Sequence, residues 1–314
     1  MKSLTIQSNT FKVLLEQFQE DLQVRNKSNS IIYNMPNHIQ EFFYYLERKG
    51  HQTLDFVTTA MVSDYYHKYL KIRKNKTRPG ALKPNSLNKH QEALGLFYTF
   101  LKESSSKKIR FGIHLKYEKT PPIDKKEILK ISEVRELFDA CEYSNVSEKF
   151  QLRDRAILVI LYSCALRRNE AVGINISDID FENKRIYVRN GSRNKKRKIP
   201  YVEINDYNLR ILKDYIELSR PMFYRSEFSD ALFLNKNGNR MQGQTFANRL
   251  NEIIKATQDE NIIERNLTPH SLRHSCATHL LRRGLSIEEV SDFLGHNSLD
   301  STQIYTHLID DDDD

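Results

Sequence analysis

The sequence has few cysteines and no long hydrophobic run. Its three cysteines, Cys141, Cys164 and Cys276, are an odd number without the spacing of a disulfide framework, which indicates a reducing compartment and buried apolar roles. The longest apolar stretch, residues 156–166, is well short of the ~20 residues that span a bilayer. The N-terminus mixes polar residues into every turn and lacks the apolar core of a secretory signal. We expect a cytoplasmic protein in which residues 156–166 form a buried helix.

Signatures of nucleotide and metal binding are also missing. The sequence has no Walker loop and no cluster of carboxylates of the kind that holds two Mg²⁺ ions. His274, Cys276 and His279 lie close together near His270, but their spacing does not gather four zinc ligands. We therefore expect neither a metal nor a nucleotide cofactor.

The composition fits a basic protein of two domains. A chain of 314 residues is long enough for two domains with a substantial core in each. Its net charge is +8 and its pI is about 9.2, although residues 310–314 are all aspartate. A basic body indicates a polyanionic partner such as nucleic acid.

A polar stretch rich in serine, lysine and proline divides the chain between about residues 104 and 126. This composition is typical of a linker. We expect a helical domain over residues 1–105, a linker over 106–126, and a second domain over 127–314.

The first domain contains four runs in which apolar residues recur at helical spacing. The runs are FKVLLEQFQEDL, IIYNMPNHIQEFFYYLERKG, VSDYYHKYLKIRK and SLNKHQEALGLFYTFLKE. They predict a small, all-helical domain of four or five helices.

The second domain combines helices with a small sheet. Ser132 is a candidate N-cap for the helix EVRELFDAC, and DRAILVILYSCAL predicts a buried helix that leads to Arg167. Two β-prone runs, 179–188 and 197–202, flank Asn190-Gly191-Ser192, a pattern typical of a β-hairpin. The strands and the tip carry positive charges: Lys184, Arg185, Arg189, Arg193, Lys195, Lys196, Arg197 and Lys198. Such a hairpin is either a solvated charged surface or a contact to the DNA backbone, and charge of one sign favours DNA.

Three helix starts follow one another in the last third of the chain. Thr268 is a candidate N-cap and Pro269 suits the first helical position, which puts His270 and Arg273 on one side of the same helix. Gly284 is expected to end this helix.

The next two helices place two more polar side chains. Ser286 and Glu289 form a predicted capping box, and Gly295 ends that helix so that His296 falls in the following loop. Asp300 and Gln303 are a second candidate capping pair, for a helix that carries Tyr305.

These motifs resemble the tyrosine recombinase or phage integrase family, especially its Xer-like branch. The family has L-R-x-x-E, H-x-x-R, L-G-H and Y-x-H in this order. Here Arg167 stands with Glu170, His270 with Arg273, His296 follows Leu294-Gly295, and Tyr305 precedes His307. Each motif alone is weak, but their order and spacing make accident improbable.

The resemblance implies a fold and a reaction. The fold would be mostly α with a small β-sheet, with an N-terminal helical SAM-like core-binding domain and an α+β catalytic domain. The reaction would be site-specific DNA recombination, in which DNA is cut and rejoined through a covalent 3′-phosphotyrosine, without metal or ATP.

The resemblance also implies roles for individual residues. Arg167 and Arg273 would hold the phosphate, because a guanidinium stays charged and can donate two bonds in a fork. Tyr305 would be the nucleophile, His270 the natural acceptor of its proton, and His296 a further donor to the phosphate or a positioning group. Alone, His270 would be a surface residue and Tyr305 a core aromatic.

The catalytic lysine of the family has no clear match. Alignment backward from Pro200 places Ser192 where the lysine would be, and Lys195 is the candidate substitute if the loop is one residue longer. The residues expected to contact DNA are Arg189, Arg193, Lys196 and Arg197.

Two other functions stay open. A type IB topoisomerase-like enzyme would use similar residues as a monomer, and a DNA-binding protein could have lost catalysis. For a recombinase we expect double-stranded DNA as the partner, a homo- or hetero-tetramer on DNA, a monomer without it, and a place at the nucleoid rather than at a membrane.

Overall fold

The four amphipathic runs of the N-terminal part form helices in the computed structural model, which describes residues 4–75, 80–104, 109–119, 121–189, 199–296 and 299–305. Their bounds are α1 Asn9–Val24, α2 Asn29–Arg48, α3 Thr59–Asp64 and α4 Pro84–Ser104, with α3 continuing as a π-helical turn over Tyr65–Leu70. Two helix starts are capped by hydroxyls: Ser8 accepts a hydrogen bond from the backbone N–H of Phe11, and Thr58 accepts one from Met61.

Aromatic side chains fill the core of this helical unit. The rings of Phe11 and Phe43 stack with 4.2 Å between their centroids, and Phe18 meets Phe97 edge to face at 5.3 Å. Such pairs add to the free energy of burial of the rings. The first of the chain's two compact units is built on this core and spans residues 1–121, and the second spans 122–314.

Residues 109–119, within the stretch predicted as a linker, pack on the helical unit. Phe111 is buried in its core, and the backbone N–H of Glu118 donates to Asn88 Oδ1 over 2.7 Å. The side chain of Glu118 also accepts a hydrogen bond from Tyr66, with 2.8 Å between the oxygens. The division between the two units falls between Pro121 and Pro122.

Nine helices belong to the described part of the second unit. They are α5 Ile131–Ala140, α6 Glu148–Leu158, α7 Arg168–Gly173, α8 Asp206–Asp214, α9 Gly243–Ala256, α10 Glu260–Ile263, α11 Pro269–Arg282, α12 Ile287–Leu294 and α13 Asp300–Gln303. The prediction that Ser132 caps α5 is wrong by two residues. The N-cap is Lys130, whose backbone N–H donates to the side chain of Glu133, so the helix begins earlier in the chain.

The apolar stretch 156–166 is buried, as predicted. It covers the end of α6 and a π-helical turn over Val159–Ser163, and its aliphatic side chains are at most 1% exposed. The segment ends at Ala165 and Leu166, which bring the chain to Arg167. The three cysteines are free thiols and buried.

A three-stranded antiparallel sheet stands beside these helices. Its strands are β1 Ile179–Asp180, β2 Arg185–Tyr187 and β3 Tyr201–Glu203, in the order β1-β2-β3. The prediction of one extended run over 179–188 is wrong, because a turn interrupts it. Asp180 accepts hydrogen bonds from both the backbone and the side-chain N–H of Asn183, and Lys184 takes a left-handed φ of 53°.

The pairing of β2 with β3 is that of the predicted hairpin, with Ile186 opposite Val202. Its tip at 190–192, and with it Arg193, Lys195, Lys196 and Arg197, lies outside the described residues. The prediction of a mostly helical chain with a small β-sheet is confirmed. Within the described ranges, every helix is too short or too polar to cross a bilayer.

Candidate active site

The start of α11 is the one that the sequence predicts. Thr268 is the N-cap, Pro269 is the first helical residue, and the side chain of Ser271 accepts a hydrogen bond from the Thr268 backbone N–H over 3.1 Å. With the helix start fixed, His270, Arg273 and His274 project from one side, because residues three and four apart are neighbours on a helix surface.

Arg273 is held inside the protein by backbone oxygens. Its side chain is 2% exposed. Nη1 donates to the carbonyl of Ala165, and Nη2 donates to the carbonyl of Leu294 over 2.7 Å. Because charge-assisted hydrogen bonds are the stronger kind, this pair of contacts fixes the guanidinium against the chain segment that leads to Arg167.

Arg167 reaches the same place from the other side. Its Nη1 donates to Glu170 Oε1 over 2.9 Å, and its backbone N–H donates to the other oxygen of that carboxylate, also at 2.9 Å. Glu170 thus pairs with Arg167, the arginine of its own motif. Nη1 and Nη2 also lie 3.4 and 3.3 Å from the carbonyl oxygen of Gly295. The side chain is 37% exposed, so it remains open to a ligand.

The C-terminal end of α12 brings the two arginines together. The last carbonyls of a helix have no partner inside it. Here the carbonyl of Leu294 accepts from Arg273, and the next carbonyl, that of Gly295, accepts from Arg167. Gly295 makes this possible by adopting φ 65°, a left-handed conformation that ends the helix as predicted.

His296 follows at once and contacts the same arginine. Its Nε2 lies 3.0 Å from Arg273 Nη2, and its Nδ1 lies 2.8 Å from Thr302 Oγ1. The imidazole therefore joins the loop after α12 to the short helix α13.

The helix that was expected to carry Tyr305 ends at Gln303, so Tyr305 lies two residues beyond α13. The predicted capping role of Asp300 is wrong, because Leu299 already has helical dihedrals and Asp300 is the first residue of the helix. The backbone N–H of Thr302 instead donates to the carbonyl of Leu299 over 2.7 Å. Tyr305 itself is 1% exposed and belongs to an apolar cluster with Ala165, Cys276, Ala277, Leu281, Val290 and Leu294.

The partner of Tyr305 is His274, a residue that the sequence did not single out as functional. Tyr305 Oη lies 2.8 Å from His274 Nδ1, and the ring centroids are 5.4 Å apart. The position of His274 next to Arg273, and four residues after His270, was the available signal. His270 has a different environment: it is exposed, and its ring centroid lies 6.2 Å from that of His274.

The charges and burial of the site favour neutral histidines. Burial, followed by the charges of His270 and Arg273, lowers the pKa of His274 to about 4. His270 is exposed at the surface, but partial desolvation by the surrounding protein, followed by the charge of Arg273, lowers its pKa as well. Burial raises the pKa of Tyr305, although Arg273 and Arg167 act in the opposite direction. At neutral pH the pair of His274 and Tyr305 is uncharged.

The predicted DNA contacts are only partly described. Arg189 Nε lies 2.8 Å from both carboxylate oxygens of Asp178, and 55% of the arginine side chain is exposed. Lys195, Arg193, Lys196 and Arg197 fall on residues 190–198 and lie outside the described part of the chain. Within the described ranges no three His, Cys, Asp or Glu side chains are grouped to hold a metal ion.

Comparisons with known proteins identify the family of this chain. Residues 127–311 match the phage integrase family. The tyrosine recombinase XerD of Bifidobacterium longum (strain NCC 2705) is 32% identical over 308 residues, which are 96% of this chain and 94% of the relative. The tyrosine recombinase XerC of Bacillus subtilis (strain 168) is 31% identical over 306 residues, 95% of this chain and 92% of the relative.

Solved structures share the fold. One is the XerH site-specific recombinase bound to a palindromic difH substrate in a post-cleavage complex, with a TM-score of 0.70, 18% identity, and coverage of 98% of this chain and 96% of that one. Another is the Tn1549 transposon integrase in complex with transposon right end DNA, also with a TM-score of 0.70 and 18% identity, covering 94% and 95% of the two chains. The family match over more than half of the chain, together with relatives that align over nearly all of it, makes this protein a member of the phage integrase family of tyrosine recombinases.

Proposed function

We propose that this tyrosine recombinase cuts and rejoins DNA at specific sites through a covalent bond between Tyr305 and a 3′ phosphate. The observation that carries the proposal is the meeting of four side chains at the end of α12. Arg273 binds its last carbonyl and Arg167 binds the next one, that of the capping glycine. His296 contacts Arg273, and Tyr305 lies in the apolar cluster that includes Leu294.

The two arginines supply the electrostatic part of the reaction. A phosphodiester under attack gains charge on its nonbridging oxygens, and fixed cationic donors aimed at these oxygens stabilise the transition state more than the ground state. Arg167 is the more exposed of the two and would meet the phosphate first. Arg273 is already rigid, so it loses little freedom when a ligand binds.

The bond changes balance within the protein and the DNA. Tyr305 Oη forms a bond to phosphorus, and the bond from phosphorus to the 5′ oxygen breaks. The free energy of the broken phosphodiester bond is conserved in the phosphotyrosine bond. The phenol loses a proton, for which His270 is the predicted acceptor, and the departing 5′ oxygen gains one, for which Lys195 is the predicted donor. A 5′ hydroxyl then attacks the phosphotyrosine, rejoins the strand and releases Tyr305.

Recombination is favoured over relaxation of supercoils and over binding alone. The relatives that align over more than nine-tenths of this chain carry recombinase names. Double-stranded DNA is then the partner, and the basic composition is consistent with a polyanion. Because exchange between two duplexes cuts four strands, we propose a homo- or hetero-tetramer on DNA, formed from monomers, and action at the nucleoid.

Capture of covalent DNA in cells tests this function. Wild type and Tyr305→Phe are expressed, the cells are lysed in SDS, and DNA that stays attached to the protein is recovered and sequenced. We expect ends that accumulate at a few sites for wild type and none for Tyr305→Phe. Equal recovery from both proteins would contradict the role of Tyr305. In a second experiment, purified wild-type protein is mixed with a nicked substrate that traps the covalent intermediate. Absence of covalent DNA there would support a protein that only binds DNA.

A further inference from the structure

The nucleophile is withdrawn from solvent in the described conformation. Tyr305 is 1% exposed, and its neighbours are aliphatic side chains such as Leu281 and Val290. A phenol oxygen in this place cannot touch the phosphate of a duplex, which stays outside the protein surface. Attack therefore requires Tyr305 to leave the cluster.

One side-chain hydrogen bond ties the Tyr305 hydroxyl in this position. Tyr305 Oη lies 2.8 Å from His274 Nδ1. A buried hydroxyl without a partner would cost free energy, and His274 supplies the partner among otherwise apolar neighbours. A phenol that donates here needs Nδ1 as its acceptor, and the imidazole then carries its own proton on Nε2.

The acidities of the two groups indicate whether His274 holds Tyr305 in place or acts as its general base. A general base must take the proton that it touches, and its pKa should lie near the working pH. Burial lowers the pKa of His274 to about 4 and raises that of Tyr305, so transfer of the proton from the phenol to Nδ1 is unfavourable. His274 accepts the hydrogen bond but does not take the proton.

We infer that His274 is a positioning residue that holds Tyr305 withdrawn and protonated until DNA binding releases it. The inference rests on the proposed role of Tyr305 as the nucleophile. It assigns to His274 a function distinct from that of His270, which lies four residues earlier on α11. Removal of the acceptor should shift the population toward a released tyrosine, by about tenfold for one buried hydrogen bond.

The same helix offers a matched control. His279 Nδ1 lies 2.8 Å from Tyr162 Oη, so α11 carries a second histidine–tyrosine pair with the same distance. His279 also bonds the carbonyl of Leu129. Replacement of His279 should therefore cost stability without releasing Tyr305.

Nitration of tyrosines by tetranitromethane, without DNA, measures the release directly. Trypsin cuts after Arg283, and residues 284–314 contain no other lysine or arginine and a single tyrosine, Tyr305. Residues 156–167 form another tryptic peptide, with Tyr162 as its one tyrosine. Each histidine variant can thus be scored on both tyrosines by mass spectrometry.

The variants separate the acceptor from the ring. His274→Phe keeps a ring and removes the acceptor, and we expect nitration of Tyr305 to rise about tenfold with that of Tyr162 unchanged. His274→Asn places an amide oxygen near the position of Nδ1 and should restore wild-type protection. His279→Phe should raise nitration of Tyr162 alone. The inference would be overturned if Tyr305 of His274→Phe were nitrated no faster than in wild type. It would also be overturned if Tyr305 of His274→Asn were nitrated as fast as in His274→Phe.

Cleavage of a nicked substrate that traps the covalent complex gives the functional readout. We expect His274→Phe to form the complex at least as fast as wild type, and His274→Asn to resemble wild type. A His274→Phe protein that exposes Tyr305 but cleaves more than about tenfold slower would overturn the holding role, because His274 would then assist the attack. If wild type itself forms no complex, the proposed function fails, whereas the nitration result still decides how Tyr305 is held.

Discussion

Arg273 and His296 meet with 3.0 Å between Nη2 and Nε2, and this contact fixes the protonation of the imidazole. A guanidinium only donates, so Nε2 must accept and Nδ1 must carry the proton, which it donates to Thr302 Oγ1 over 2.8 Å. His296 is thus neutral and turned toward the protein in this state. To donate to a phosphate, it has to exchange its contact with Arg273 for one with the ligand.

Replacement of Arg273 by lysine tests whether the reaction needs a guanidinium that donates several hydrogen bonds at once. Lysine keeps the charge. It cannot bind two backbone carbonyls and the imidazole of His296 at the same time, as Arg273 does. We expect strand cleavage to fall by at least ~10², as for loss of a transition-state donor, and stability to fall by about 1–3 kcal/mol. Single-turnover cleavage and DNA binding are measured in parallel. Equal losses in both would indicate that Arg273 serves binding alone.

Thr302 provides an isosteric test of the orientation of His296. Thr302→Val removes the hydroxyl that accepts from Nδ1 and takes this partner from a partly buried N–H, which costs up to about 1–3 kcal/mol. The ring should lose its fixed orientation, and cleavage should fall about tenfold or more. Thr302→Ser keeps the hydroxyl and is the control. Equal cleavage by the valine and serine variants would show that the hydrogen bond does not orient His296 for the reaction.

Arg189 tests whether the hairpin contacts DNA. More than half of its side chain is exposed although Nε is bonded to Asp178, so its charge can also face a phosphate. We predict that Arg189→Gln reduces the slope of log affinity against log salt by about 0.9, the value for one phosphate contact. Arg189→Lys keeps the charge and should keep the slope. An unchanged slope in the glutamine variant would assign Arg189 to the structure of the hairpin.

His38 makes the helical unit sensitive to acid. Burial, followed by the charges of Lys89 and Arg73, lowers its pKa from 6.5 to about 4, and its ring lies 4.2 Å from that of His90. Because the folded-state pKa is the lower one, this contribution to stability is complete above pH 6.5. It is lost as pH falls toward 4, by at most about 1.4 kcal/mol per pH unit.

Urea unfolding of the full chain at pH 7 and pH 5 measures this loss. Wild type should be destabilised more than His38→Gln between the two pH values, since the carboxylates titrate in both proteins and cancel in the difference. The same pH dependence in the two proteins would mean that His38 is not the group responsible.

Local signals in the sequence predicted most of the helix ends that position the candidate site. Thr268 with Pro269 fixed the start of α11, and Gly295 fixed the end of α12, because caps and left-handed turns depend on a few adjacent residues. The pairing of Arg167 with Glu170 was predictable for the same reason. All of these contacts lie within one turn of the chain.

Contacts between distant segments were not predictable in this way. The hydrogen bond between Tyr305 and His274 joins residues 31 positions apart and depends on where the chain after α13 lies against α11. The break between β1 and β2 was missed although Asp180 and Asn183 are residue types that favour turns, because the apolar residues on either side of them fit an extended strand. Leu299 rather than Asp300 takes the N-cap position of α13, which no capping pattern indicates.

The most direct test of the central claim is to locate the bond between protein and DNA. The covalent complex formed on a nicked substrate is digested with nuclease and trypsin, and the peptide of residues 284–314 is sequenced by mass spectrometry. The account predicts a nucleotide linked to Tyr305, the only tyrosine in that peptide, and none in the Tyr305→Phe protein. A nucleotide on any other peptide, or an adduct that persists in the phenylalanine variant, would contradict it.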